Sequence, residues 1–144
     1  MTQAALIAEM LGGTQVLKQR IRRDVELEDA VREGLPARSL RSLAERTLTT
    51  LGQLQAVTRI DRSTFARRVR SRAKLKTDES DRVVRVARIA ALAIEAMGRE
   101  DGLAWLHERN RPLGERIPIE LLETDVGARQ VEQVLGRIEH GIVG

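Results

Sequence analysis

The 144-residue sequence contains no cysteine and no tyrosine, and its only aromatic side chains are Phe65 and Trp105. The missing cysteines exclude disulfide bonds and thiolate metal sites. Strand-rich proteins usually carry more aromatic residues in an alternating apolar–polar pattern. The shortage of aromatics, together with only three prolines, therefore favours a helical protein. A hydrophobic content of 42%, mostly leucine, isoleucine, valine and alanine, is typical of a folded globular chain.

Long apolar runs are also absent, which argues against a membrane protein. The most apolar stretch, residues 89–97, is interrupted by Glu95 and is far shorter than the roughly 18 residues of a membrane-spanning helix. Residues 1–11 lack the basic start and the long apolar core of a secretory signal. We therefore predict a soluble, cytoplasmic protein with no membrane partner.

Motifs for catalysis, metal binding and cofactor binding are missing as well. The two histidines, His107 and His140, fall near predicted helix ends, where the helix dipole favours a partly charged imidazole. No Gly-x-Ser-x-Gly elbow and no phosphate-binding glycine loop occurs, and Gly12-Gly13 is interpreted as a helix break. We predict a protein that is not an enzyme, with no catalytic residues, no metal site and no cofactor.

Apolar periodicity and helix-capping residues predict an all-α fold. A helix that Pro36 opens should bury its apolar side as far as Leu48, and N-caps are expected at Thr14, Asp61 and Thr124. The other predicted helices cover residues 3–11, 14–22, 25–33, 50–58, 62–72, 77–97, 101–109, 119–122 and 125–139. In helix 77–97 the predicted inward stripe is Val83, Val86, Ala87, Ala90, Ile94 and Met97. The second half of this helix is apolar nearly all round, which predicts burial between two parts of the protein.

Charge is distributed unevenly along the chain, although the net charge is only +4. Residues 59–76 contain eight cationic side chains against Asp61 alone, a net charge of +7. Residues 100–144 contain nine acidic and five cationic side chains, a net charge of −4. A basic middle and an acidic end predict two different partners.

Two short helices joined by residues 59–61 fit a helix-turn-helix, whose second helix enters the major groove of DNA. Phe65, Ala66 and Val69 are predicted to pack inward, while arginine and serine side chains opposite them reach bases and phosphates. The candidate DNA-binding residues are Arg62, Ser63, Thr64, Arg67, Arg68, Arg70, Lys74 and Lys76. From these residues alone, a solvated arginine-rich helix with no nucleic-acid role is an equally good interpretation.

The C-terminal residues 105–144 combine a helix end, a tight turn, a one-turn helix, a capped last helix and a short apolar tail. Pro112 disfavours helix at the preceding residue, and Gly114 allows a positive φ in the turn. Pro118 should open the one-turn helix, Gly127 should permit a close helix contact, and Gly141 should end the last helix. The tail beyond Gly141 either folds back or inserts into a partner.

These regions resemble the Xre-type antitoxins that pair with RES-domain toxins. Residues 51–57 resemble the support helix of that family, and Ile60-Asp61-Arg62-Ser63-Thr64-Phe65 resembles its turn and recognition helix. The other matching motifs are Lys76-Thr77-Asp78-Glu79-Ser80-Asp81-Arg82, Trp105-Leu106, Asn110-Arg111-Pro112-Leu113-Gly114, Ile117-Pro118, Leu121-Leu122-Glu123-Thr124 and Arg137-Ile138-Glu139-His140-Gly141-Ile142. The resemblance covers roughly residues 11–144 and is strongest from Arg82 onward. The chain departs from the family pattern at Thr58, where a small residue is common, and at Val143, where many members carry an aromatic.

The resemblance implies a type II antitoxin that covers the active site of a NAD-consuming RES-domain toxin. It also implies binding to operator DNA and repression of its own operon, as a homodimer or within a larger toxin–antitoxin assembly. The residues expected nearest the toxin are Arg137, Glu139, His140, Gly141, Ile142, Val143 and Gly144. The expected units are residues 1–76, with an Xre-like helix-turn-helix, and a helical toxin-binding domain at 77–144, linked by the long helix.

Two other functions fit the same residues. The first is a stand-alone helix-turn-helix regulator whose C-terminal domain dimerises or senses a ligand. The second is a helical interaction protein with no DNA role. An adjacent gene for a RES domain would favour the antitoxin. The apolar positions of residues 2–34 are compatible with dimerisation and with completion of the core.

Overall fold

The computed structural model describes residues 1–141, and every regular element in this range is helical. The α-helices are α1 (Gln3–Met10), α2 (Gly13–Leu17), α3 (Asp24–Glu33), α4 (Arg38–Arg46), α5 (Leu51–Thr58), α6 (Arg62–Ser71), α7 (Thr77–Met97), α8 (Arg99–Trp105) and α9 (Asp125–Glu139). Two short 3₁₀ helices, η1 (Arg111–Leu113) and η2 (Pro118–Glu123), lie between α8 and α9. The predicted all-α fold is therefore confirmed. Among residues 1–141, no helix is both long enough and apolar enough to cross a membrane.

Helix α7 is the central element of the fold. It packs against α1, α3 and α5 from the first part of the chain and against α8, α9 and η2 from the last part. The predicted inward stripe comprises the fully buried Val83, Val86, Ala87 and Ala90 and the partly buried Ile94 and Met97. Buried apolar side chains from Ala4 to Leu135 form one continuous cluster, so both parts of the chain share a core around α7. The division at residues 76 and 77 stays a prediction.

Helix α2 is shorter than the sequence predicts. It ends at Leu17 rather than at residue 22, because Lys18 adopts a left-handed backbone conformation with a φ of 60°. The helix begins at Gly13, and Gly12 is its N-cap with a φ of 110°. Thr14 therefore lies inside α2, and its prediction as the N-cap is wrong.

Helix α4 also differs from its prediction at both ends. Pro36 precedes the helix, where its carbonyl accepts hydrogen bonds from the N–H and the hydroxyl of Ser39. Leu48 lies beyond the helix with a φ of 54° and is 74% exposed, so it does not extend the buried stripe. The chain turns sharply at Leu48 before the N-cap Thr50 begins α5.

The C-terminal elements follow the predicted order, with two errors in length. Helix α8 covers Arg99–Trp105, not residues 101–109, and η2 covers Pro118–Glu123, not residues 119–122. The predicted cap at Thr124 is confirmed, because its hydroxyl accepts from the N–H of Gly127 at 2.9 Å. A Cβ at Gly127 would lie 2.0 Å from the carbonyl oxygen of Leu121, which confirms the predicted close contact. Gly141, with a φ of 76°, follows the end of α9 as predicted.

Candidate functional site

Helices α5 and α6 and the turn between them form the predicted helix-turn-helix. Arg59 ends α5 with a φ of 55°, and Ile60 anchors the turn in the core. Asp61 is the N-cap of α6, as predicted, because its carboxylate accepts from the Thr64 N–H at 2.8 Å and from the Ser63 hydroxyl at 3.0 Å. The hydrogen bond from the Thr64 N–H is the main reason that the pKa of Asp61 lies below its ordinary value.

Thr58, which departs from the family pattern, has a structural role at the end of α5. Its side chain is fully buried, and its hydroxyl donates to the carbonyl of Leu54 at 2.6 Å. Its own carbonyl accepts from Nε of Arg82 at 2.6 Å, which ties the helix-turn-helix to α7. The contact from Arg82 joins residues 24 positions apart, so sequence spacing gave no signal for it.

Helix α6 is held by the buried Phe65, by the partly buried Val69, which packs against the core as predicted, and by one ion pair. Phe65 is 3% exposed and is the only residue of α6 that is fully buried. The Arg68 guanidinium pairs with the carboxylate of Glu79 at the start of α7, and both side chains are about nine-tenths buried. The same carboxylate accepts from the backbone N–H of Lys76 at 2.8 Å. Glu79 therefore positions α6 relative to α7.

Arg68 and Ala66 lie differently from the sequence interpretation. Arg68 is directed toward α7, and its pairing with Glu79 argues against a direct contact between its guanidinium and DNA. Ala66, which was predicted to pack inward, is exposed, so that prediction is wrong. Arg68 lies three residues after the buried Phe65 and therefore shares the face of α6 that is directed toward the core.

The other candidate DNA-binding side chains are available on the surface. Thr64 is partly buried, whereas the exposed members of the set are Arg62, Ser63, Arg67, Arg70, Lys74 and Lys76. Arg62 and Arg70 also line a groove of about 520 Å³ between α4, α5 and α6, and no acidic side chain lines it. The sequence interpretation missed Arg41 of α4, which lines the same groove with its guanidinium 5.8 Å from the centre of the Phe65 ring. Its position on the polar side of α4 was the only signal.

The candidate toxin-facing residues lie at the end of α9. Arg137, Glu139, His140 and Gly141 are exposed, and the remaining members of the set, Ile142, Val143 and Gly144, lie outside the described residues. The opposite side of α9 is anchored by Val131, Val134 and Leu135, which are buried, and by Ile138, which is partly buried. The exposed residues are thus presented from a helix whose position is fixed by the core.

Polar contacts hold the C-terminal elements in place. Arg88 of α7 pairs with Glu132 of α9, and Arg85 donates to the carbonyls of Leu122 and Glu123 at 3.4 and 3.2 Å. Val126, in the first turn of α9, is 67% exposed and is an apolar surface residue that the sequence interpretation did not single out.

Further polar contacts join the C-terminal elements to the N-terminal ones. Nε2 of His107 lies 3.3 Å from the hydroxyl of Thr49, and Glu9 contacts both Arg46 and Arg99. In the range 1–141 no three histidine, aspartate or glutamate side chains are grouped as metal ligands. The geometry at His107 is that of a structural hydrogen bond between two parts of the chain.

The fold and its two surfaces define a helix-turn-helix protein with a second helical binding domain. Residues 26–88 match the antitoxin Xre-like helix-turn-helix domain, and residues 92–141 match the antitoxin Xre/MbcA/ParS C-terminal toxin-binding domain. The chain is similar to proteins named antitoxin Xre from Photorhabdus laumondii, Yersinia enterocolitica and Pseudomonas putida, with 32%, 29% and 33% identity. These matches cover 81%, 83% and 82% of this chain and 80%, 82% and 74% of the three relatives. The chain belongs to the Xre family of antitoxins, which confirms the resemblance that its motifs indicated.

Proposed function

We propose that this Xre-family antitoxin neutralises a NAD-consuming RES-domain toxin and represses its own operon by binding operator DNA. One observation carries the proposal: two separate exposed surfaces lie in the two domains that the family matches define. The first is the cationic surface of α6, within the helix-turn-helix match, and the second is the end of α9, within the toxin-binding match. Their separation allows both partners to bind at the same time.

Toxin neutralisation is proposed to occur by steric occlusion. The resemblance to RES-pairing antitoxins supports a RES-domain partner. It also implies that the last residues of this chain contact the toxin's active site. Arg137, Glu139 and His140 are exposed on a helix that the core holds firmly. A pre-positioned surface loses little conformational entropy on binding, which favours a tight complex. Residues 142–144 are proposed to extend the same contact.

DNA binding is proposed to use the exposed face of α6. Arg62, Ser63 and Arg67 lie in its first two turns, where a recognition helix reaches base edges. Lys74 and Lys76, just after the helix, are proposed to contact phosphates. A homodimer, alone or within a toxin–antitoxin assembly, would place two such helices on successive half-sites of the operator. The protein would bind both partners in the cytoplasm.

Growth rescue tests the pairing with the toxin. The neighbouring gene, expected to encode a RES-domain protein, is expressed with the full-length chain or with a version that ends at Glu139. Rescue by the full-length chain alone, with the shorter version still folded by circular dichroism, would support inhibition by residues 140–144. Rescue by both versions would indicate that the inhibitory contact lies on the helices and not on residues 140–144. Rescue by neither, with a toxic neighbour, would exclude the pairing.

Electrophoretic shifts on the protein's own promoter fragment test the DNA contact. Arg67→Ala should flatten the slope of log K against log salt by roughly 0.9, the value for one lost phosphate contact. The matched control is Arg129→Ala on α9, an exposed arginine whose partner is Asp125 at 2.9 Å. It should leave the slope unchanged. An unchanged slope for Arg67→Ala would exclude this side chain from the interface.

A further inference from the structure

A second cavity, of about 530 Å³, lies between the end of α2, the start of α4 and the C-terminal end of α6. It shares only Val69 with the groove beside Arg41, so it is a separate feature. Four cationic side chains line it, and among residues 1–141 no acidic side chain does. The four are Lys18, Arg38, Arg68 and Arg72.

Three of these cations have no partner of opposite charge in the part of the chain that the structure describes. Arg68 is neutralised by Glu79, but Lys18, Arg38 and Arg72 form no ion pair with any side chain of residues 1–141. Unpaired like charges around a concave surface produce a positive potential that is focused into the cavity. An anion bound there would relieve their mutual repulsion.

The local backbone does not favour these residues at their positions. Lys18 and Arg72 adopt left-handed conformations, with φ of 60° and 58°, which glycine would take at lower cost. Arg38 is the first residue of α4, where the positive end of the helix dipole disfavours a cation. Lys18 and Arg72 are the C-caps of α2 and α6, where a left-handed conformation commonly ends a helix. The helix ends therefore explain the backbone at these two positions, whereas a bound anion would compensate the unpaired charges around the cavity.

We propose that this cavity binds the phosphate groups of an organic anion. Lys18, Arg38 and Arg72 would contact the phosphate oxygens, and the apolar side chains of Val16 and Val69 would cover an uncharged part of the ligand. The phosphate could belong to a free nucleotide-like molecule or to the backbone of bound DNA, since both offer the same oxygen atoms. The free-ligand source does not depend on the proposed DNA function.

Isothermal titration of the full-length protein with ATP and with inorganic pyrophosphate, at low salt, tests the site. One ATP should bind per chain, and Lys18→Gln and Arg38→Gln should each weaken binding about tenfold, as expected for a lost hydrogen bond to a charged group. Arg129→Gln is the matched control, because Arg129 is exposed on α9 and does not line the cavity. It should change the affinity less than about twofold.

The same variants, titrated with promoter DNA over a range of salt concentrations, distinguish the two sources of phosphate. If DNA supplies the phosphate, ATP binding will be absent, and Arg38→Gln will flatten the salt slope by roughly 0.9. A wild-type protein that binds ATP but not DNA would support the free-ligand source while contradicting the proposed DNA function. Equal weakening of ATP binding by Arg129→Gln, or no effect of Lys18→Gln and Arg38→Gln on either probe, would overturn the proposal. Lys18 and Arg38 lie on different elements, so a folding defect in one variant leaves the other as a test.

Discussion

Helices α6 and α7 are neighbours in the chain, but they are held in the structure by different kinds of contact. Only one of the ten residues of α6 is fully buried, whereas nine of the 21 residues of α7 are. Apart from Phe65 and the partly buried Val69, α6 depends on its Asp61 cap and on the ion pair between Arg68 and Glu79. A helix that presents cations on its surface has few apolar residues for anchoring. Removing one of its remaining contacts should therefore destabilise α6 more than removing any single contact destabilises α7.

Helix α9 lies between these two cases. Five of its 15 residues are buried on one face, and its opposite face presents charged side chains. The end of α9 proposed to meet the toxin is thus fixed by apolar packing, while the proposed DNA-reading helix is fixed largely by polar contacts. We expect substitutions of single polar groups to affect the α6 region far more than the α9 region.

The largest effect is expected from Glu79→Gln, which removes the charge that pairs with Arg68. Breaking a buried ion pair from one side leaves an uncompensated charge, so the free energy of unfolding should fall by about 3 kcal/mol. Asp78→Asn is the matched control, because Asp78 precedes Glu79 and its side chain, which pairs with Arg82 at 3.4 Å, is itself exposed. It should have little effect. Equal effects of the two variants in urea unfolding would show that α6 does not depend on this pair.

A smaller but substantial effect is expected from Gly127→Ala in α9. The new Cβ would meet the carbonyl oxygen of Leu121 at 2.0 Å, and relieving that clash requires η2 to move away from α9. Overpacking of this kind should cost about 2 kcal/mol. Gly136→Ala, in the same helix with no atom near the added Cβ, should instead stabilise the protein by up to about 1 kcal/mol.

The melting profile of Gly127→Ala also tests how independent the two predicted units are. Because one apolar cluster includes residues from both parts of the chain, we expect a single cooperative transition that shifts as a whole. Two transitions, of which only one shifts, would support independent domains at 1–76 and 77–144. Helices α6 and α9 would then not belong to one cooperative core.

The sequence predicted those features that depend on local physical chemistry. The cap at Asp61, the buried stripe of α7 and the close contact at Gly127 each follow from residues within one or two turns. The pairing of Arg68 with Glu79 was not predictable in the same way, because it joins side chains of two helices that lie 11 residues apart. The helical period places Arg68 on the face of Phe65 but does not identify its partner. The left-handed end of α2 at Lys18 was missed because no glycine marks it.

The smallest effect concerns Asp61 and depends on pH. Because the folded chain lowers the pKa of this carboxyl below its ordinary value of 3.8, the charged cap stabilises the fold at neutral pH. That contribution is fully present above the ordinary pKa and is lost as the pH falls through the lowered value. Asp61→Asn keeps a capping oxygen without the charge, whereas Asp61→Ala loses the cap at every pH.

Thermal melts of wild type, Asp61→Asn and Asp61→Ala across acidic pH will measure this contribution. The difference in Tm between wild type and Asp61→Asn should stay constant from pH 7 to about pH 4.5 and shrink only below the ordinary pKa. The Asp61→Ala protein should melt lowest at neutral pH. A difference that already shrinks between about pH 6 and 5 would point to another titrating group. In that case the start of α6 would be held by something other than its cap, and α6 would differ from α7 only in its anchoring by Phe65, Val69 and the Arg68–Glu79 pair.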